Sequence, residues 1–331
     1  MGVMDVAQAS AAYRGELLTH CYRMLGSLHD AEDLVQETML RAWRFAGGYD
    51  ESRGSIRTWL YRIATNACLS FLEGRQRRVL PVDLNGPSQL PDIAKISERL
   101  EVPWLEPFPD ALIPAGDPAA VVEARESIRL AFIAALQLLP PRQRAVLILR
   151  DVLAMLAAEV ASLLETTVAS VTSALQRARA QLAAASPSAD GTGLVPPSDE
   201  ESQDLLDRYL AAFTTMDVEA LKKTLREDAL LQMPPFGEWF LGRDAIGQFM
   251  ATGFARGGSF RLVPTRANGQ PALGLYSSRE GDAYRFRQVQ VLTMTEAGIA
   301  QIDGFHAGGL YVQFGLPAVL ADQPPTTPVR G

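Results

Sequence analysis

Between residues 157 and 180 the apolar positions fall into two short runs at helical spacing. Val160, Leu163 and Leu164 make the first, Glu165 and Thr166 interrupt it, and Val168, Val171 and Leu175 make the second. Intervals of three and four predict two amphipathic helices joined by a tight turn. Near the N-terminus, Ala31, Leu34, Val35, Thr38 and Ala42 line one face of a helix over 30–45, with Asp33, Gln36, Glu37 and Arg41 opposite. A polar, Gly-containing loop (46–55) separates it from a longer helix over 56–78, which buries Ile56, Leu60, Ile63, Ala67 and Leu69–Phe71 and ends in Arg75, Arg77 and Arg78. Beyond residue 200 the pattern changes. Helices over 199–214, 217–226 and 242–255 precede β-rich runs at 259–267, 271–279, 284–295 and 298–305. Helices first and strands afterwards predict an α+β domain behind two all-α modules.

The paired helices at 157–180 have the layout of a helix-turn-helix. Its second helix would turn Ser170, Thr172, Ser173, Gln176, Arg177 and Arg179 towards base edges. Thr166 or Thr167 can cap that helix. The same pattern also suits plain bundle packing. The basic end of the 56–78 helix, near Tyr49, Trp59 and Tyr61, suits a nucleic-acid surface. Trp59 and Tyr61 suit a core equally well.

A net charge of −7 argues against a simple DNA binder until it is divided along the chain. Residues 1–80 carry ten basic and nine acidic groups, and 125–181 carry seven and four, so the weak positive balance falls on the helical modules. The acidity lies in 81–124 and beyond 182. Such mild charge predicts weak binding to free DNA, because phosphate neutralisation supplies most non-specific affinity. Eight prolines between 81 and 118 exclude a continuous helix there. Trp104, Leu105 and Phe108 in that connector are costly to leave in water and are expected to dock. A second connector, 185–202, is rich in Ser, Gly and Pro and marks a boundary. Cys21 and Cys68 sit in apolar helical patterns without metal-ligand spacing, so they read as buried hydrophobes and no zinc is expected. No run of eighteen apolar residues and no signal pattern is present, which gives no membrane role and a cytoplasmic expectation.

Taken together, DAEDLVQETMLRAW (30–43), GSIRTWLYRIATNACLSFLEGRQRR (54–78) and LPPRQRAVLILRDVL (139–153) before the helix-turn-helix resemble a bacterial sigma factor of the extracytoplasmic-function (ECF) group. WLEPFPD (104–110) and the long tail resemble the subgroup with a SnoaL-like C-terminal domain. The resemblance implies sigma region 2 over 8–80, a Pro-rich acidic linker over 81–124 and region 4 over 125–184. A flexible linker (185–200), the SnoaL-like domain (201–318) and a disordered tail (319–331) would follow. It implies core RNA polymerase (the beta-prime and beta subunits) and promoter DNA as partners, with no cofactor and no catalysis. Asp33, Gln36, Glu37 and Arg41 would engage polymerase. Tyr49, Ser52, Arg53, Arg57, Arg62, Asn66, Arg75, Arg77 and Arg78 would meet the −10 element, and the polar face of 170–179 the −35 element. In that family the linker threads through polymerase towards the active-site cleft and RNA exit channel. Two departures stand out. Leu156 replaces the usual capping residue before AAEV, and Glu165 stands where Gly is common, so a left-handed residue there would be strained.

The C-terminal resemblance implies a cone whose curled sheet surrounds a pocket, with Met233, Trp239, Phe249, Asn268, Gln270 and Tyr276 as candidate lining for a small-molecule ligand. Asp303 and His306 are the only candidates for pocket chemistry, and residues three apart on a strand face opposite sides. A sensing or packing role is therefore expected of this domain. Two other readings compete: a helix-turn-helix regulator with an effector-binding domain, and an enzyme with catalysis in the tail. The first leaves the 30–45 helix and the 46–55 loop without a role.

Overall fold

The structure is a computed structural model and describes residues 10–88, 96–114, 118–185, 197–279, 282–306 and 309–320. They fall into two units, Met1–Val79 with Val102–Thr192, and Leu80–Glu101 with Gly193–Gly331.

The first unit starts with α1 (Arg14–Leu25), α2 (Leu28–Arg44) and α3 (Ile56–Leu72). Gly26 closes α1 at φ 69°, and Ser27 caps α2 by accepting a hydrogen bond from the Asp30 amide. A Cβ at position 26 would lie 2.5 Å from Leu105 Cδ2, so glycine is required there by space as well as by φ. The buried stripe of α2 is Leu28, Ala31, Val35, Thr38 and Ala42, with Leu34 only half-buried. Cys21 and Cys68 are buried and unbonded, and each thiol faces the other, which pushes Cys68 up. The third helix stops at Leu72 rather than at 78. Glu73 is extended and Gly74 left-handed, so Arg75, Arg77 and Arg78 follow the helix instead of sitting on its last turn.

The same unit continues with α4 (Pro118–Glu126), α5 (Leu130–Gln137), α6 (Pro141–Leu147), a π-helical turn at Ile148–Val152, α7 (Ala157–Leu163) and α8 (Val168–Ala185). Its two halves exchange arginines. From α6, Arg144 donates to the Met24 carbonyl, to Gln137 Oε1 (2.7 Å) and to the Gln137 and Leu139 carbonyls. From α1, Arg23 donates to Ser127 Oγ (2.5 Å) and the Ser127 carbonyl. Both side chains are buried and meet only neutral acceptors, and burial lowers each guanidinium to about 10. The WLEPFP segment docks as its composition requires. Trp104, Leu105 and Phe108 are buried, Val79 bridges to Trp104, and the Phe108 ring lies 4.7 Å from that of Tyr22.

The second unit is α+β. After α9 (Asp199–Thr214) and α10 (Val218–Thr224) come β1 (Leu225–Gln232), β2 (Trp239–Leu241), α11 (Arg243–Phe254), β3 (Ser259–Ala267), β4 (Gln270–Ser278), β5 (Tyr284–Thr295), β6 (Gly298–Phe305), α12 (Leu310–Gln313) and β7 (Val319–Leu320). Sheet order is β2-β1-β6-β5-β4-β3, with β7 on β5. Only β1–β6 is parallel among the described pairs. Leu225 belongs to a strand, not to the helix expected over 217–226. The register aligns Leu231, Ile302 and Leu292, which share one core cluster with Tyr209, Phe213, Leu221 and Ile246 of the helices. Pleating sends Gln232, Asp303 and Val291 to the other face.

Part of the Pro-rich connector belongs to this second unit. The Val82 amide donates to Gln232 Oε1, the Trp239 indole to the Asn85 carbonyl, the Ser88 amide to the Trp239 carbonyl, and the Arg99 amide to the Pro235 carbonyl. No helix among the described residues is long and apolar enough to cross a membrane.

Candidate nucleic-acid interface

Helix α8 is two-faced. Val171, Leu175 and Ala178 are buried, while Ser170, Thr172, Ser173, Gln176, Arg177 and Arg179 are exposed. Val168, expected to be buried, lies on the first turn of α8 and is 47% exposed. Thr167 is the cap, its Oγ1 accepting from the Ser170 amide at 3.1 Å. Thr167 also donates to Ser170 Oγ, and Thr172 bonds back to the Val168 carbonyl. Ser173, Gln176 and Arg177 carry no such local bond among the described residues. Arg179 differs from its neighbours. Its Nε and Nη2 form a bidentate pair with Asp151 at 2.8 and 2.7 Å, so it braces α8 against the turn before α7. Glu165 does take φ 52°, and Leu156 begins α7 without a side-chain cap. Glu159 offsets the second defect, its carboxylate accepting from the Leu156 amide at 2.7 Å.

The expected −10 residues divide into two groups. Arg62 and Asn66 are exposed at a four-residue spacing on α3, and Arg75 and Arg77 are exposed beyond its end, Arg75 lying 3.6 Å over the Phe71 ring. Tyr49 packs against Trp59 (5.3 Å between ring centres) and donates to the Gly54 carbonyl, closing the 49–54 loop. Ser52 bonds to Asp50 within it. Tyr49, Asp50, Gly54, Trp59 and Arg62 border a cleft of about 660 Å³, whose other wall is Ala158, Glu159 and Ser162 of α7. Two arginines are committed elsewhere. Arg57 donates to Glu16 at 2.8 Å, and Arg78 pairs with Asp30 and donates to the Trp104 carbonyl, its side chain only 19% exposed. Arg57 therefore braces α3 on α1, and Arg78 ties the chain after α3 to α2 and to the 104 segment. The side chain of Arg53 lies outside the described set. Tyr61 is core, its hydroxyl on Glu16.

On α2, Asp33 and Gln36 are exposed and Glu37 half-buried, with Arg41 held on Glu37 at 2.7 Å. Leu40, Trp43 and Phe45 beside them are 51%, 58% and 64% exposed, a patch the residue types alone did not suggest. The helical period could have found it, since 40 and 43 fall off the 31–35–38–42 stripe.

In the C-terminal unit the expected lining residues do not converge. Met233 and Phe249 belong to the apolar core, and Trp239 holds the connector. Asn268 occupies the left-handed position of the β3–β4 turn, and Gln270 donates to the Leu292 carbonyl and Thr293. Tyr276 donates to the Pro317 carbonyl, on the face opposite the core. Asp303 and His306 do diverge. Asp303 accepts from Gln232 (2.6 Å) and Gln301, and burial pushes it up to about 6 against the pull of those amides. His306 packs on Phe236, its Nε2 without a partner, and burial and then Arg287 lower it to about 4. No group of three His, Cys, Asp or Glu side chains that could hold a metal stands together among the described residues.

Comparison with known proteins follows the same divisions. The family descriptions "Sigma-70 region 2", "Sigma-70, region 4" and "SnoaL-like domain" match residues 10–78, 129–182 and 206–302. The ECF RNA polymerase sigma factor SigG of Mycobacterium tuberculosis is 48% identical over 316 residues, 95% of this chain and 84% of that one. SigJ of the same species is 30% identical over 226 residues, 68% of this chain and 63% of SigJ. The crystal structure of SigJ superposes with a TM-score of 0.60 at 21% identity, covering 94% of this chain and all of SigJ, and so shares the fold. Similarity to SigG runs through all three parts, which leaves no ground for reading the chain as a repressor. The protein belongs to the ECF group of RNA polymerase sigma factors, which bind core polymerase and direct promoter recognition and transcription initiation, and it carries a C-terminal SnoaL-like domain.

Proposed function

We propose that Ser173, Gln176 and Arg177 of α8 read the −35 element, and that Arg62, Asn66, Arg75 and Arg77, with the 49–54 loop, engage the −10 strand. Asp33, Gln36 and Glu37 form the contact with polymerase, joined by the apolar patch beside them. The observation that carries the first assignment is the free polar face of α8 set against a buried stripe on the same helix. Arg57, Arg78 and Arg179 act as braces.

The SnoaL-like domain regulates rather than catalyses. Its two candidates for pocket chemistry form no pair, since Asp303 accepts from two glutamine amides and His306 packs on Phe236. Instead it holds the backbone of Val82, Asn85, Ser88 and Arg99 of the connector through hydrogen bonds. In the ECF group this linker enters polymerase, so holding it competes with assembly. The protein acts in the cytoplasm, where its polymerase is.

In vitro transcription with purified core polymerase tests both parts. Removing 197–331 should change output from a fixed promoter, and a promoter library should report separate −35 and −10 preferences. Unchanged output would remove the regulatory role, and no promoter selectivity would remove the DNA assignments.

A further inference from the structure

The grip on the connector runs back to a buried carboxylate. Gln232 pairs with Trp239 across β1 and β2 and with Asp303 across β1 and β6, so the three form one row on the sheet face opposite the apolar core. Two members of the row hold the connector. The Trp239 indole donates to the Asn85 carbonyl at 2.8 Å, and Gln232 Oε1 accepts from the Val82 amide at 3.2 Å. The third sets the second. Gln232 Nε2 donates to Asp303 Oδ1 at 2.6 Å, and an amide whose nitrogen is committed to a carboxylate turns its oxygen the other way, here to Val82.

Gln232 and Asp303 are 0% and 1% exposed, so the connector closes over an acid that has no cation beside it. Facing Asp303 are Gln232 from β1, Val291 from β5 and, on its own strand, Gln301, which donates to both carboxylate oxygens at 2.9 and 3.0 Å. The connector's own carboxylate, Asp83, is turned to the Leu80 amide at 2.9 Å. Burial pushes Asp303 up from 3.8 to about 6 against the pull of the two glutamines, and no charged side chain contributes. Lifting the connector opens the row to water, where a carboxylate ionises at its ordinary value.

We propose that Asp303 is a positioning residue with two opposed effects on the connector: it orients Gln232 for the Val82 bond, while its ionised form, covered by the connector, favours release. This rests on the reading that the SnoaL-like domain holds the connector. The carboxyl binds its proton more tightly covered than uncovered. Acidification therefore tightens the hold, and the hold weakens as pH rises from about 3.8 through about 6. At neutral pH the connector covers an ion that water would stabilise, which lowers the work a competing partner must do to draw it away.

Hydrogen exchange of the Val82 and Ser88 amides in the full chain, expressed as protection relative to the unstructured rate at each pH, tests this. Protection of both should rise about tenfold between pH 7.5 and 5, the change expected for a carboxyl moved from 3.8 to about 6. Asp303→Asn keeps an oxygen for Gln232 and removes the charge. At pH 7.5 it should protect both amides at least as well as the unaltered chain at pH 5, and its protection should not vary with pH. Asp303→Leu, which removes the acceptor as well, should lose the Val82 protection. Protection that is flat with pH in the unaltered chain, or weaker in Asp303→Asn at pH 7.5, would overturn the assignment and leave the held connector standing. Val82 and Ser88 unprotected at every pH would overturn both. The pH series on the unaltered chain needs no variant, so it decides the case in which Asp303→Asn does not fold.

Discussion

Arg78→Gln separates a brace from a DNA contact. Arg78 stands in the RQRR sequence that suggests a phosphate-binding run, but its guanidinium pairs with Asp30 on α2, donates to the Trp104 carbonyl at 2.6 Å and lies 3.8 Å from Glu106. The side chains of Arg78 and Asp30 keep only 19% and 16% of their exposure. Breaking a fully buried pair by removing one partner typically costs about 3–5 kcal/mol. Two features reduce that here. Residual hydration screens the stranded carboxylate, and Asp30 lies in the first turn of α2, where the helix dipole still favours it. Loss of the bond to the Trp104 carbonyl adds a smaller term. The expected loss is about 2–3 kcal/mol, roughly two decades in the opening equilibrium of this region. Hydrogen exchange of the α2 amides in the intact chain reads it directly. Arg75→Gln and Arg77→Gln should leave exchange unchanged and reduce open-complex formation instead. Unchanged exchange in Arg78→Gln together with lost open complexes would refute the reasoning and return Arg78 to the promoter.

Four other outcomes are expected. Glu165→Gly should stabilise the helical unit by about 0.5–1 kcal/mol, read as a raised thermal midpoint, after the unfolded-state entropy of glycine is set against the left-handed strain at φ 52°, while Glu165→Ala should not. His20, buried against Thr65 and lowered to about 3 by burial and then by Arg23 and Arg57, should withdraw stability as pH falls below 6.5 towards 3, because the unfolded chain protonates first. Urea melts should show a loss of about 2 kcal/mol by pH 5 that His20→Gln removes. Asp33→Arg or Gln36→Arg should abolish the holoenzyme band on native gels without changing the circular dichroism of the free chain. Ser173→Ala or Gln176→Ala should alter −35 preference on a promoter-variant panel by about 1–3 kcal/mol at the contacted position and leave −10 preference alone.

Periodicity carried most of the secondary structure. The strands at 259–267, 284–295 and 298–305 and the helix at 199–214 have the bounds their alternation and capping predict. Where the pattern misled, a local signal was outweighed by a distant one. Leu225 continues a helical stripe but is claimed by β6 through its pairing with Ile299. The 56–78 run keeps its polarity past Leu72, yet Gly74 at φ 70° redirects the chain. The proposed DNA surface is legible as composition but not residue by residue. Arg57, Arg78 and Arg179 look the same in sequence as Arg62, Arg75 and Arg177. They differ because Glu16, Asp30 and Asp151, 41, 48 and 28 residues away, fold onto them. No rule confined to neighbours in sequence distinguishes the two sets.

The same non-locality divides the connector. Its prolines mark 81–124 as one extended tether, but the fold gives the two ends to different units. From Trp104 to Phe108 the chain is anchored by side chains, and burying Trp104, Leu105 and Phe108 contributes about 1.5–3 kcal/mol each. Over Val82–Arg99 the described contacts are mostly backbone hydrogen bonds, each worth about 1 kcal/mol net, and Val82 and Leu100 remain exposed. The two attachments therefore differ in strength and in kind. The WLEPFP end behaves as part of the helical core, whereas the N-terminal end is held by bonds that water can replace with little loss. A polymerase channel competing for this linker meets weak resistance over 82–88 and at Arg99 and strong resistance over 104–108, so release should begin at the SnoaL-like domain and leave the region 2 anchor in place.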